Sequence, residues 1–189
     1  MNQDYVSAEH DRMLAALVMP CEVVAVDLAA ARVRVRSGEW TSAWVRWHAQ
    51  AAGVARHWRA PSLGEQGVLL SPSGTAAMGT FIPGLFGAAS APPNNRGEVE
   101  SWHFPDGAVL SYDWQAHRYD LQLPAGSATV KVGGTQVVID PGAVTVSAAS
   151  IQLSGPANIK GALTVNGNIS STGSIMDTAG NSNHHTRDE

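Results

Sequence analysis

A short apolar pattern repeats through the C-terminal third of the chain. Two apolar residues separated by one other residue recur at steps of seven, seven, seven, six and six residues. Side chains two residues apart share one face of a strand, so each pair predicts a short strand with one apolar face. The Gly, Pro, Asn or Ser residues between pairs predict turns. The pairs are Val130/Val132, Val137/Ile139, Val144/Val146, Ile151/Leu153, Ala157/Ile159 and Leu163/Val165, with a weaker continuation at Ile169.

One chain cannot build a stable core from this repeat. Every aromatic residue lies at or before Tyr119, and two aliphatic side chains per strand bury too little area to offset an ordering cost of about 1–2 kcal/mol per residue. A single-chain solenoid is the alternative, but its rungs normally have about twenty residues or more. We therefore predict an intertwined homotrimer in which strand edges pair between chains. Its predicted core is Val130, Val132, Val137, Ile139, Val144, Val146, Ile151, Leu153, Ile159, Leu163 and Val165.

The N-terminal part of the chain has a different pattern. Residues 4–19 show apolar side chains at helical spacing, and Pro20 ends that pattern, which predicts a short helix. Alternating or apolar segments at 21–26, 31–36, 40–47, 67–70 and 78–82 then predict about five short strands separated by turns. Five short strands in this length are typical of a small closed barrel of the OB-fold type.

A turn-rich connector follows the barrel. Its centre is Pro92–Asn95, and beyond it Pro105, Asp106 and Gly107 predict the turn of a hairpin. The predicted class is therefore all-β, an OB-fold barrel followed by a trimeric β-helix and a small apex. The predicted divisions are the N-terminal helix (1–20), the barrel (21–90), the connector and hairpin (91–125), the trimeric β-helix (126–172) and the apex tip (173–189).

Charge and cysteine content restrict the function. The net charge of -4 disfavours a chain built mainly to hold nucleic acid or an anionic membrane. Arg32, Arg34 and Arg36 alternate along one predicted strand, which permits an OB-type nucleic-acid surface, but a partner-facing or solvated row is the preferred interpretation. The one cysteine, Cys21, excludes an intrachain disulfide and is expected to be a small buried thiol.

Neither catalysis nor general secretion is predicted. Asp106 and Asp113 are not part of a paired-carboxylate or nucleophile–base arrangement. The first eleven residues have neither a basic segment nor an apolar segment of the kind found in a signal peptide. We therefore expect a non-enzymatic protein that reaches any extracellular position by another route.

The chain carries His184 and His185 next to each other near its C-terminal end. Imidazole is a common ligand of iron, zinc, nickel and copper, and two ligands from each of three chains would make an octahedral shell. Adjacent strand residues point to opposite faces, so both rings reach one axis only if the backbone bends there. A hydrophilic tail or solvated histidine caps are the alternatives.

The order of helix, small barrel, hairpin, short β-repeat and histidine-bearing tip resembles the baseplate protein V family, the central spikes of contractile phage tails and R-type pyocins. The likeness covers nearly the whole chain. Its most specific parts are residues 61–72 (PSLGEQGVLLSP) with Gly79, Gly84 and Leu85, residues 104–113 (FPDGAVLSYD), and the histidine pair.

This resemblance implies a barrel that docks on the tail hub, for which the arginine row is the candidate surface, and an apex that holds an iron ion. In the family the apex ligands form His-x-His. Here the same-face pairs would be Asn183 with His185, or His184 with Thr186, so the six-histidine shell is not preserved.

The resemblance also implies a mechanical function. Sheath contraction would drive the trimer, apex first, through the outer membrane of the target cell, from a tail tip assembled in the bacterial cytoplasm. Two alternatives remain at this stage. One is a trimeric fibre or adhesin segment that binds surface glycan, which the lack of Tyr or Trp after Tyr119 disfavours. The other is an OB-fold protein that binds nucleic acid.

Overall fold

The computed structural model of the protein describes residues 3–87 and 90–173. It has two compact units, Met1–Pro124 and Ala125–Glu189. Within the described residues, no helix has both the length and the apolar character needed to cross a membrane. The elements are α1 (Gln3–Leu17), β1 (Val18–Asp27), β2 (Arg32–Ser37), β3 (Trp40–Thr41), β4 (Val45–Trp47), β5 (Gln66–Leu70), β6 (Thr80–Pro83), β7 (Val99–His103), β8 (Val109–Asp113), β9 (Arg118–Gln122), β10 (Ala128–Val132), β11 (Thr135–Ile139) and β12 (Val144–Ser147).

Strands β1 to β6 form the predicted barrel. Their order is β1-β5-β6-β4-β2-β3, and β1 also pairs with β2, so five strands close on themselves. Closure turns alternate side chains inward, and Val33 and Val35 of β2 are both fully buried. The rest of this core consists of Cys21, Val23, Val45, Leu69 and Phe81.

The predicted strand at 40–47 is divided into two short strands. Ser42 lies between β3 and β4, and its side chain is fully buried. Its hydroxyl accepts a hydrogen bond from the Val35 N–H at 2.9 Å and donates one to the Ala43 carbonyl at 2.7 Å. The serine side chain therefore takes the place of a strand partner at this corner of the barrel.

The prediction that Pro20 ends the helical pattern is wrong. The helix α1 ends at Leu17, and Pro20 lies within β1, where it is opposite Val68 of β5. Pairing of β1 with β2 begins only at Glu22, so β1 has one neighbouring strand at Pro20. A residue without an N–H is tolerated where one side of a strand is unpaired.

The predicted hairpin after the connector is confirmed, and a third strand extends it. Strands β7, β8 and β9 form an antiparallel sheet in that order. In the turn between β7 and β8, Gly107 has φ +86°, and the Asp106 carboxylate accepts a hydrogen bond from the Ala108 N–H at 3.0 Å. Glycine adopts this backbone conformation without steric cost, as the sequence pattern indicated.

The first three apolar pairs occupy β10, β11 and β12. These strands form a second antiparallel sheet within one chain, whereas the repeat predicted that strand edges would pair between chains. The seven-residue steps leave enough residues to reverse the chain, as at Gly133 with φ +56°. From residue 148 to residue 173, the described part of the chain contains no strand.

Candidate interchain and docking surfaces

The first three apolar pairs of the repeat lie on one face of the β10–β12 sheet. Val130 is opposite Val137, which is opposite Val146, and Ile139 is opposite Val144. The other face is mainly polar and includes Lys131, Gln136 and Ser147. The local geometry therefore produces the one-sided apolar surface that the repeat predicted.

This face is open in the single chain, and so are the predicted core positions in the described, strand-free segment after Ser147. Leu153 is 77% exposed, and only Val137 among the predicted core positions is half-buried. An aliphatic surface of this extent is expected to be covered by other protein. The other exposed positions are Val130, Val132, Ile139, Val144, Val146, Ile151, Ile159, Leu163 and Val165.

The arginine row lies on the outside of the barrel. Arg32, Arg34 and Arg36 are exposed and alternate with the two buried valines of β2. Arg36 forms an ion pair with Glu22, and the Arg34 Nε donates a hydrogen bond to the Ser42 carbonyl at 2.9 Å. Arg32 forms no ion pair with any described residue.

A fourth arginine joins this row, and sequence reasoning missed it. Arg46 of β4 is opposite Arg32 in the sheet register, and its Nε donates a hydrogen bond to the Thr80 hydroxyl at 2.9 Å. Pairing of β2 with β4 is a property of the closed barrel. The sequence feature that could have indicated an outward-facing Arg46 is its position between the inward-facing residues Val45 and Trp47.

Residues 61–72, which are among the most specific parts of the resemblance, help to form a groove on the barrel. Glu65 accepts a hydrogen bond from the Ser62 N–H at 2.9 Å and forms an ion pair with Arg59 at 2.7 Å. The groove has a volume of about 310 Å³. Three apolar side chains on its wall are exposed, namely Leu63, Leu85 and Phe86.

Gly67 explains part of the same sequence motif. A Cβ atom at this position would lie 2.3 Å from the Ile82 carbonyl oxygen and 2.5 Å from the Phe81 ring. Only glycine permits β5 to approach the ring so closely. Gly67 is therefore required for packing of the barrel core.

Cys21 is the buried thiol that the sequence predicted. It is 8% exposed, and burial raises the pKa of its thiol from 9.0 to about 11. The charged thiolate is disfavoured in this apolar interior, which makes Cys21 a poor nucleophile.

The histidine pair lies outside the described residues, as does the predicted apex (173–189) apart from Gly173. Within residues 3–87 and 90–173, no three His, Cys, Asp or Glu side chains gather in a group that could hold a metal ion. The iron prediction at His184 and His185 therefore remains a prediction.

Two family models match the two parts of the chain. Residues 19–86 match the type VI secretion system/phage-baseplate injector OB domain, and residues 100–171 match the Gp138 beta helical trimerization domain. Both parts of the chain are therefore similar to domains of phage-baseplate spike proteins, as the resemblance indicated, and the matches support the role of a structural central spike of a phage tail. A relative is the Spike protein of Escherichia phage P2, which is 28% identical over 182 residues, with 89% of this chain and 85% of the relative covered.

Proposed function

We propose that this spike is the part of a contractile particle that pierces the outer membrane of the target cell mechanically. The particle is a phage tail or an R-type pyocin. One observation supports this more than any other: a row of exposed aliphatic side chains lies in the region that matches a trimerization domain. Three copies would bury these rows in a continuous core, and interchain hydrogen bonds would stiffen the needle.

No catalytic step is part of this proposal. In this proposal, force from sheath contraction, concentrated on a narrow tip, opens the bilayer. One match is to an injector OB domain and the other is to a trimerization domain, and both descriptions support a structural, non-enzymatic role. The spike would be assembled in the bacterial cytoplasm with the rest of the tail.

The piercing function is tested with particles that carry a spike truncated after Gly173. We expect these particles to adsorb and contract as the wild type does, but to release much less of a periplasmic marker enzyme from target cells. Equal release by both particles would contradict the proposal. Loss of adsorption by the truncated particles would instead favour a glycan-binding fibre.

The barrel is proposed to dock on the baseplate hub through the row formed by Arg32, Arg34, Arg36 and Arg46. The chain is acidic overall, so these four guanidinium groups form a local basic surface. Such a surface favours a partner with an acidic surface. Replacement of Arg32 and Arg46 by glutamate should weaken co-sedimentation of the spike with the hub. The loss of binding should be larger at low salt, where charges are screened less. Arg118→Glu, on a strand outside the barrel, is the matched control. Equal binding by all variants would remove the arginine row from the interface.

The same variants test the nucleic-acid alternative. If the row bound single-stranded DNA, the wild-type spike would show salt-dependent binding and the Arg32→Glu variant would not. We expect no measurable binding by either protein, because the net charge of -4 repels the phosphate backbone.

An iron ion at the apex is also proposed, on the basis of the histidine pair and of the resemblance, which implies iron. Elemental analysis of purified spike should find iron, and His184→Ala or His185→Ala should lower its content. The variant that loses the metal identifies the ligand, and its partner on the same face would then be Thr186 or Asn183. Absence of iron and zinc from the wild-type protein would contradict this proposal.

A further inference from the structure

The sheet formed by β7, β8 and β9 has two faces of opposite character. One face consists of two cross-strand rows, Glu100–Tyr112–Tyr119 and Trp102–Leu110–Leu121. The opposite face carries mostly polar and charged side chains, among them Ser101, Ser111, Asp113, Arg118 and Asp120. We call the first of these the aromatic face.

The aromatic face is open to solvent in the single chain. Trp102 is 51% exposed, Tyr119 is 63% exposed and Leu121 is 54% exposed. The Tyr112 and Tyr119 rings are 6.4 Å apart, and a depression of about 150 Å³ lies among the side chains of this face. Three aromatic side chains exposed to this extent present on the order of 300 Å² of mostly apolar surface.

The polar face needs no protein partner. Arg96 pairs with Asp113, and Arg118 pairs with Asp120 at 2.7 Å. Such exposed ion pairs are compatible with water. An isolated small sheet is marginally stable, so burial of its aromatic face would supply the packing that the sheet lacks.

We propose that the aromatic face packs against the same sheet of the two other copies in the trimer. This inference rests on the homotrimer of the proposed function. The trimerization match begins at residue 100, which is the first residue of this face. Farther along the same matched region, the β10–β12 sheet also has one exposed apolar face. The aromatic face is thus continuous in sequence with the predicted trimer interface.

A second copy is favoured over other occupants because trimerization supplies it at close range. Chains that are joined through the repeat hold their β7–β9 sheets at a high effective concentration, of millimolar order for short linkers. The trimer would then have two kinds of interchain core along one chain, an aromatic layer at residues 100–121 and an aliphatic layer from Val130 onward. A glycan on the aromatic rings is the competing occupant.

The test compares two single-cysteine variants of the full-length spike, made in a Cys21→Ser background. Leu121→Cys places a thiol on the aromatic face, and Gln122→Cys places one on the opposite face of the same strand. A thiol reagent is applied to the intact trimer and to protein unfolded in guanidinium. We expect Leu121→Cys to react about tenfold or more slowly in the trimer, and Gln122→Cys to react at nearly its unfolded rate.

Equal reaction of the two thiols in a trimer confirmed by sedimentation would overturn the inference and leave the proposed function intact. A monomer in sedimentation would overturn both. Retention of wild-type spike on immobilised target lipopolysaccharide that Trp102→Ala abolishes would also overturn it, because the face would then be a glycan site. As a second readout, Tyr119→Ala should lower the resistance of the trimer to dissociation, whereas the neighbouring Arg118→Ala should not.

Discussion

Replacement of Leu153 by alanine distinguishes a trimer core from a solvated loop. In the single chain Leu153 is 77% exposed. Full burial of a leucine side chain contributes about 1.5–3 kcal/mol, so the contacts within one chain account for less than about 1 kcal/mol of that value. If Leu153 instead lies in an interchain core, its truncation costs about 2–5 kcal/mol per chain. The cost to a trimer is then about 6–15 kcal/mol, since three copies change together.

Leu28→Ala is the matched control. Leu28 is 60% exposed and lies between β1 and β2 of the barrel, away from the repeat. The same side-chain atoms are removed from a surface position of similar exposure, so the change in stability should be within about 0.5 kcal/mol.

The assay follows trimer content by sedimentation velocity across a guanidinium series at fixed protein concentration. If unfolding is irreversible, unfolding rates replace midpoints, and each 1.4 kcal/mol corresponds to about a tenfold change in rate when the contact is absent from the transition state. We expect Leu153→Ala to dissociate at much lower denaturant than Leu28→Ala. Identical curves for the two variants would show that Leu153 is not in a core, and the interpretation of the whole repeat would fail with it.

Three further predictions concern the unit that contains the barrel. Gly67→Ala should destabilise the barrel by about 1–3 kcal/mol, measured by thermal unfolding, because its Cβ would overlap the Phe81 ring; a midpoint equal to that of the wild type would contradict this. Stability should fall as the pH rises from 9 toward 11, because the pKa of Cys21 is raised to about 11 in the folded state and the contribution is complete only below the unfolded value. Cys21→Ala should abolish that decline, and an unchanged slope would refute the assignment. The Ala116 N–H and Arg96 lower the pKa of Asp113, so its contribution is present at neutral pH and is lost as the pH falls through the folded pKa; Asp113→Asn should flatten the acid limb of the unfolding curve.

Features that depend on local chain geometry were predictable from the sequence. The alternation of Val33 and Val35 with arginines predicted β2, and the turn residues before Gly107 predicted the hairpin. In both cases side-chain spacing of two and the dihedral preferences of Pro and Gly determine the structure within a few residues. The apolar pairs of the repeat predicted a one-sided surface for the same reason.

Features that depend on closure of the barrel were not predictable. Arg46 lies beside Arg32 only because β4 pairs with β2, and the walls of the groove at Leu63 and Leu85 come from segments more than twenty residues apart. Pro20 within β1 is another example. A proline is tolerated there because β1 pairs with β5 but not with β2 at this position, and the fold of the barrel sets that pairing. Local propensity does not encode these neighbours, so tertiary structure decides them.

The distribution of apolar side chains also implies an order of assembly. Phe81, Leu69 and Val35 are fully buried by contacts within one chain, so the barrel can reach its native packing before any copy of the chain is met. The aromatic face and the repeat have no such intrachain cover, and their folding free energy depends on association. Barrel formation is therefore expected to precede trimerization and to be independent of protein concentration. Formation of the needle should instead become faster as concentration rises, because its core does not exist in the monomer.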